Sequence, residues 1–209
     1  MTRILLVRHG ETTLSAEDRF AGSTDVPLSA NGRHQAECLA ERLANLAIAA
    51  VYSSPMQRTC ETARFLAKRH RLDVHLRNGL REIDHGKWEQ LRRADVQARF
   101  PDEYQKWVSD PFSFAPSDGE SGAHVLRRAL PLLQDMVLLH EGETVAVVSH
   151  TATIRLLIAS VLGFDARGYR DRLDQCPACL NILDFNGPSD ARLILFNDVS
   201  HYLGRSVRL

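Results

Sequence analysis

The feature that most constrains this chain is a pair of short apolar runs, within Arg3 to Val7 and Thr144 to Val148, each stopping abruptly at a polar turn. A strand whose consecutive side chains are all apolar has no face for solvent. It must be covered on both sides, as in a parallel sheet packed between helices. The segments between these runs supply the covers. Ser29 to Leu46 repeats apolar or small residues at Ala36, Leu39, Ala40, Leu43 and Leu46, and Ser121 to Leu139 repeats them at Val125, Leu126, Ala129, Leu132, Leu133 and Met136, both at helical spacing. Ala50-Val51-Tyr52 reads as another strand. After it, Ser54-Pro55-Met56-Gln57 reads as a helix start, with Ser54 as cap, Pro55 at the first helical position and Gln57 closing the box, and the helix runs to about Arg69.

Val74-His75-Leu76 predicts a further short strand, Glu89 to Phe100 one helix, and Ile154 to Leu162 another. Leu180 to Phe185 and Leu193 to Phe196, around Asn186-Gly187-Pro188, predict a hairpin. The expectation is an α/β fold: a three-layer α/β/α sandwich with a mostly parallel sheet, a C-terminal antiparallel hairpin and a small helical cap insertion. Residues 1–209 read as one domain, with the cap-like insertion from Trp88 to Glu120.

At 209 residues, 44% of them hydrophobic, the chain can bury one substantial core. Lys and Arg number 26 and so do Asp and Glu, so no broad basic surface points to nucleic acid or an anionic membrane as partner. No stretch approaches the roughly 18 apolar residues that span a bilayer. With Cys38, Cys60, Cys176 and Cys179 scattered and unneeded as staples, a cytoplasmic protein is expected. Cys176-Pro-Ala-Cys179 has zinc or redox spacing but no second ligand pair, and reads as two small residues entering a strand.

Ligands of open α/β sheets bind beyond the carboxyl ends of the strands. Two strands deliver a histidine there, His9 after Val7 and His150 after Val148, and Arg58 lies in the first turn of the helix that follows Tyr52. Arg8 adds a second guanidinium. Two arginines and two histidines at strand ends, beside a helix N-terminus, describe a site for a tetrahedral dianion such as phosphate, because each guanidinium presents paired donors to its oxygens.

These residues fall in recognisable strings. Leu6-Val7-Arg8-His9-Gly10-Glu11-Thr12 resembles the signature of the histidine phosphatase superfamily, also called the phosphoglycerate mutase-like family. The likeness continues, in order, through Phe20 to Ser29, Ser53 to Ala63, Leu80 to Glu89, Asp118-Gly119-Glu120-Ser121, Val148-Ser149-His150 with Ile154-Arg155, and Asn197 to His201. The resemblance implies that His9 takes the phosphoryl group, that Arg8, Arg58 and His150 hold its oxygens, and that Glu82 protonates the departing alkoxide and then helps water attack. It implies no cofactor and no metal, the arginines serving as the clamp. Ser15, Gly22, Ser23 and Thr151 are the expected substrate contacts. Ser15 stands where the family commonly has Asn, Thr151 where a glycine is frequent after the second histidine, and Gln90 where Trp-Glu-Gly is usual.

The superfamily contains phosphatases and cofactor-dependent mutases. Trp107 is followed by Val108-Ser109-Asp110-Pro111 rather than by the basic pair that grips a carboxylate in the mutases, so the resemblance favours the small phosphatases. The expected reaction is hydrolysis of phosphate monoesters of small metabolites through a phosphohistidine. The alternatives are a cofactor-dependent phosphoglycerate mutase and a non-catalytic phosphate-binding regulatory domain. Trp107, Phe112 and Phe114 are candidates for an apolar entrance; His34, His70, His75, His85, His124 and His140 read as surface or structural, and His201 as structural. A small phosphorylated metabolite is the expected partner, and a homodimer through a sheet edge or helix face is compatible with the sequence.

Overall fold

In the computed structural model, which describes residues 1–17 and 19–203, the apolar runs do lie in the middle of a sheet. The elements in chain order are β1 (Thr2–Arg8), α1 (Thr13–Ala16), α2 (Ala30–Leu43), β2 (Ala50–Ser53), α3 (Gln57–His70), β3 (Val74–Leu76), α4 (Arg93–Arg99), α5 (Pro101–Ser109) and α6 (Gly122–Leu139). They continue with β4 (Thr144–Ser149), α7 (Thr151–Val161), α8 (Tyr169–Arg172), β5 (Leu180–Gly187), β6 (Asp190–Asp198) and α9 (Ser200–Leu203). The six-stranded sheet has the order β3-β2-β4-β1-β5-β6. Its first four strands are parallel, β5 runs antiparallel to β1, and β6 is antiparallel to β5.

The alternation of side chains along a strand divides the core into two layers. Ile4, Leu6, Val145 and Val147 face α6 and α7, packing with Val125, Leu133, Ile154 and Leu157. Leu5, Val7, Ala146 and Val148 face α2 and α3, packing with Leu39, Leu43, Ala63 and Leu66. A third, aromatic cluster of Trp88, Val96 and Trp107, flanked by Phe20, Tyr104 and Phe114, holds the segment between β3 and α6 together. No described helix is long and apolar enough to cross a membrane.

Register positions the site. Arg8 of β1 pairs with Ser149 of β4, so the next residues, His9 and His150, leave neighbouring strands side by side. β2 pairs Ser53 with Val148 and delivers Ser54 to the same level.

Three local expectations fail for tertiary reasons. Ser54 is not the cap of α3: the helix begins at Gln57 after Met56, whose side chain makes no cap bond, while the Ser54 hydroxyl lies 2.8 Å from His150 Nε2. The helix expected from Glu89 to Phe100 starts late, as α4 at Arg93, and a second helix, α5, follows it where none was expected. Phe100, at φ −131° and ψ 56°, ends one, and Pro101 opens the next from its first position. Helix α7 begins at Thr151, ahead of Ile154, because the Glu82 carboxylate, remote in sequence, accepts from the N–H groups of Ala152 at 3.1 Å and Thr153 at 3.3 Å.

Candidate functional site

Beyond the carboxyl ends of β1, β2 and β4 lies a cavity of about 230 Å³. Its wall includes Arg8, His9, Ser15, Gly22, Arg58, Glu82 and Thr151, so the structure brings together seven of the nine residues singled out from the sequence. The other two lie elsewhere. His150 is fully buried behind His9, with ring centroids 5.2 Å apart at 63°. Ser23, expected at the substrate, is not on the wall; its backbone N–H is turned to Glu89, 2.9 Å away.

His9 is held in one tautomer. Its Nδ1 lies 2.7 Å from the Gly10 carbonyl, which can only accept, so Nδ1 carries the hydrogen and Nε2 the lone pair. Burial first, then the charges of Arg58 and Arg8, hold its pKa well below the ordinary histidine value of 6.5, and the ring is neutral at neutral pH. His150 is lowered in the same way by burial, then by Arg58 and His9. A neutral imidazole with a free lone pair is a nucleophile, and the charges that keep it neutral also attract an anionic substrate.

The two arginines are anchored on backbone carbonyls and, among the described residues, form no ion pair with a carboxylate. Arg8 donates to Gln175 O at 2.6 Å, and Arg58 to Gly22 O at 2.7 Å and Thr24 O at 2.8 Å. The Nε atoms of both, and Nδ1 of His150, are buried without a hydrogen-bond partner among the described residues. Buried polar atoms in that state are costly, and a tetrahedral oxyanion in the cavity would supply acceptors for the two guanidiniums.

Four supports of this arrangement have roles that sequence reasoning did not assign. Glu89 accepts from the backbone N–H groups of Ser23, Thr24 and His85, and from the Thr24 hydroxyl. It thereby fixes the loop whose carbonyls hold Arg58. Gly22 sits in that loop at φ +25°, and a Cβ there would come within 2.7 Å of Ile83 O and closer still to the Glu89 carboxylate. Arg128 donates to the carbonyls of Gly79, Arg81 and Glu82 and pairs with Glu120, tying the acidic loop to α6. The Cys176-Pro-Ala-Cys179 turn grips the end of β1, Ala178 N–H donating to His9 O at 3.0 Å and Arg8 N–H to Cys179 O at 3.2 Å. Burial pushes the Cys179 thiol up to about 12, so it is an inert core group. Among the described residues no cluster of three or more His, Cys, Asp or Glu is arranged to hold a metal ion.

The outer wall departs most from the sequence reading. His85, taken as surface or structural, lines the cavity together with Phe20, Arg19, Arg93, Arg155, Tyr169 and Arg170. Trp107 lines it too, whereas Phe112 packs against the core and Phe114 against the aromatic cluster.

Residues 4–199 match the family model described as histidine phosphatase superfamily (branch 1). The chain is 35% identical over 165 residues to phosphoserine phosphatase 1 of Hydrogenobacter thermophilus, covering 79% of this chain and 78% of that one. It is 40% identical over 199 residues to the bifunctional protein Rv2228c of Mycobacterium tuberculosis, covering 92% of this chain but only 53% of that protein. Among solved structures, YhfR of Bacillus stearothermophilus superposes with a TM-score of 0.90 at 31% identity, over 96% of this chain and 99% of that one.

Proposed function

Because the chain belongs to branch 1 of the histidine phosphatase superfamily, we propose that it hydrolyses phosphate monoesters of small metabolites through a phosphohistidine formed on His9. The observation that carries this reading is the state of His9: neutral, with Nδ1 fixed on Gly10 O and Nε2 without a partner among the described residues, beside Arg8 and Arg58, which form no ion pair among those residues.

The substrate phosphate lies against Arg8 and Arg58, which take its equatorial oxygens and their developing charge. His9 Nε2 attacks phosphorus in line, the N–P bond forms, and the P–O bond to the leaving group breaks. His150, stacked edge-on at His9, adds a buried nitrogen donor behind the phosphate. Glu82 gives its proton to the departing alkoxide. As a carboxylate it then takes a proton from water, whose oxygen attacks phosphorus; the N–P bond breaks, phosphate leaves, and His9 returns to its neutral form. The N–H groups of Ile83, Ala152 and Thr153 hold Glu82 in place for both steps. The segment from Trp88 to Glu120 is the cap that carries Trp107 to the leaving group, and the setting is the cytoplasm, where the four free cysteines stay reduced.

The test is release of inorganic phosphate, in the presence of chelator, from p-nitrophenyl phosphate and a panel of sugar, nucleotide and glycerate phosphates, beside His9→Ala. Release by the parent and none by the variant supports the phosphatase. If neither releases phosphate but the parent isomerises 3-phosphoglycerate when primed with the bisphosphate, the mutase takes its place; if the parent does neither, the chain is a phosphate-binding domain.

A further inference from the structure

The inner wall accounts for a phosphate but not for the rest of the charge around it. Among the described residues, six guanidiniums line the cavity, those of Arg8, Arg19, Arg58, Arg93, Arg155 and Arg170, with one carboxylate, Glu82. Arg8 and Arg58 belong to the phosphate. Among the others, Arg170 is committed to architecture: it chelates Asp171 at 2.7 and 2.8 Å, donates to the carbonyls of Trp107 and Val108, and stacks 4.2 Å from the Trp107 ring. Arg19 is tied to Glu17 at 2.7 Å and to Gln90 O at 2.9 Å, and Arg93 lies over the rings of Trp107 and Phe20.

Arg155 is different. It stands one helical turn after Thr151 on α7, so the two side chains share a face and both reach the cavity. Its bond to Asp174 is a single contact at 3.2 Å to a carboxylate whose side chain is 77% exposed, the kind of surface pair that contributes little. Its Nε is buried with no acceptor among the described residues. Its charge is close enough to that of Arg8 to depress the Arg8 pKa, after the larger effect of burial. A planar fork with spare donors, at the rim of a phosphate site, suits a second planar anion. The cavity, at about 230 Å³, falls below the roughly 300–1,000 Å³ usual for small-molecule pockets, so that anion sits on a short leaving group.

Resting on the phosphatase reading of the cavity, we infer that Arg155 is a specificity residue that binds a second anionic group of the substrate, so that esters of small hydroxy acids are preferred to esters of neutral alcohols of the same size. The matched pair for the test is 3-phosphoglycerate and glycerol 1-phosphate, which share a three-carbon skeleton and differ in a carboxylate against a hydroxymethyl group. A phosphoryl-bearing analogue, glycerol 1,3-bisphosphate, distinguishes a carboxylate from a second phosphate as the preferred anion.

The readout is the ratio of kcat/KM for acid over neutral ester, measured in the parent, Arg155→Gln, Arg155→Lys and Asp174→Asn. The expected result is a ratio above one in the parent that falls roughly tenfold to a hundredfold in Arg155→Gln, mainly through KM, as loss of a charge-assisted pair implies. Arg155→Lys should recover part of it. Asp174→Asn frees the guanidinium and should raise the ratio about twofold to fivefold, which keeps the test decisive if the Gln variant does not fold. An unchanged ratio in all the variants, or equal losses on both esters, overturns the inference while leaving the phosphatase standing. Absence of phosphate release from every ester by the parent overturns the phosphatase reading itself.

Discussion

The floor and the rim of the cavity are built by different physics. The floor comes from three buried parallel strands and the helix starts after them; its positions are set by register, so that Arg8 opposite Ser149 leaves His9 beside His150. The rim comes from short helices and loops, α4, α5 and α8 among them, held by an aromatic cluster and by arginines stacked on it. Chemistry that depends on alignment within a fraction of an ångström belongs on the first kind of support, and substrate choice can be left to the second. The difference teaches that the floor should fail in kcat and the rim in KM.

The largest break is His9→Ala, which removes the lone pair and should abolish steady-state phosphate release while leaving the rim able to bind substrate; isothermal titration with 3-phosphoglycerate checks that binding persists. Glu82→Gln keeps the acceptor oxygen at the start of α7 but cannot give or take the proton. It should lower kcat by about 10²–10⁴ with leaving groups of high pKa, and less with p-nitrophenol, which needs no acid. Glu89→Ala tests the seam between the two regions, since its carboxylate joins the loop that holds Arg58 to the backbone of His85 on the rim. A loss of about tenfold to a hundredfold in kcat/KM, largely restored in Glu89→Gln, is expected from steady-state kinetics; no loss would show that Arg58 needs no such support.

The floor and the rim both hold histidines that resist protonation. His9 and His150 have pKa values well below 6.5, and His85 on the rim is lowered too, by burial first, while the rim's fixed charges are arginines. The unfolded chain therefore binds protons that the folded one refuses as pH drops below 6.5. Stability should fall with decreasing pH from that point until the lowered folded values are reached, by at most about 1.4 kcal/mol per pH unit for each histidine. Urea midpoints between pH 7.5 and pH 5 measure this, and a flat profile would mean that these histidines are not held neutral. Smallest is Arg170→Lys, which loses the fork to Asp171 and weakens the stack on Trp107; KM should rise about twofold to fivefold with kcat within twofold.

The same division explains what could be read from sequence. Apolar runs ending in His9 and His150, and Arg58 after a third strand, are local patterns whose meaning survives folding, and they located the floor. The rim is non-local. His85 gives no sign in its own segment that Phe20, from far upstream, will pack 4.6 Å from its ring, and Tyr169 and Arg170 reach the cavity from a four-residue helix with no periodicity to read. Glu89 belongs to a string that was noticed, but its role depends on the positive-φ loop at Gly22, which no spacing reveals. The helix that opens at Pro101 was not anticipated, because a proline serves equally to end one helix and to open the next.

The central claim is that a phosphoryl group passes through His9. Rapid mixing of the enzyme with 3-phosphoglycerate or p-nitrophenyl phosphate, quenching in alkali to preserve phosphohistidine, and intact-mass and peptide analysis tests it directly. The account predicts one transient phosphoryl group, acid-labile and located on the peptide that contains His9, absent from His9→Ala and persisting longer in Glu82→Gln. Turnover without that adduct, or an adduct on another residue, would contradict it.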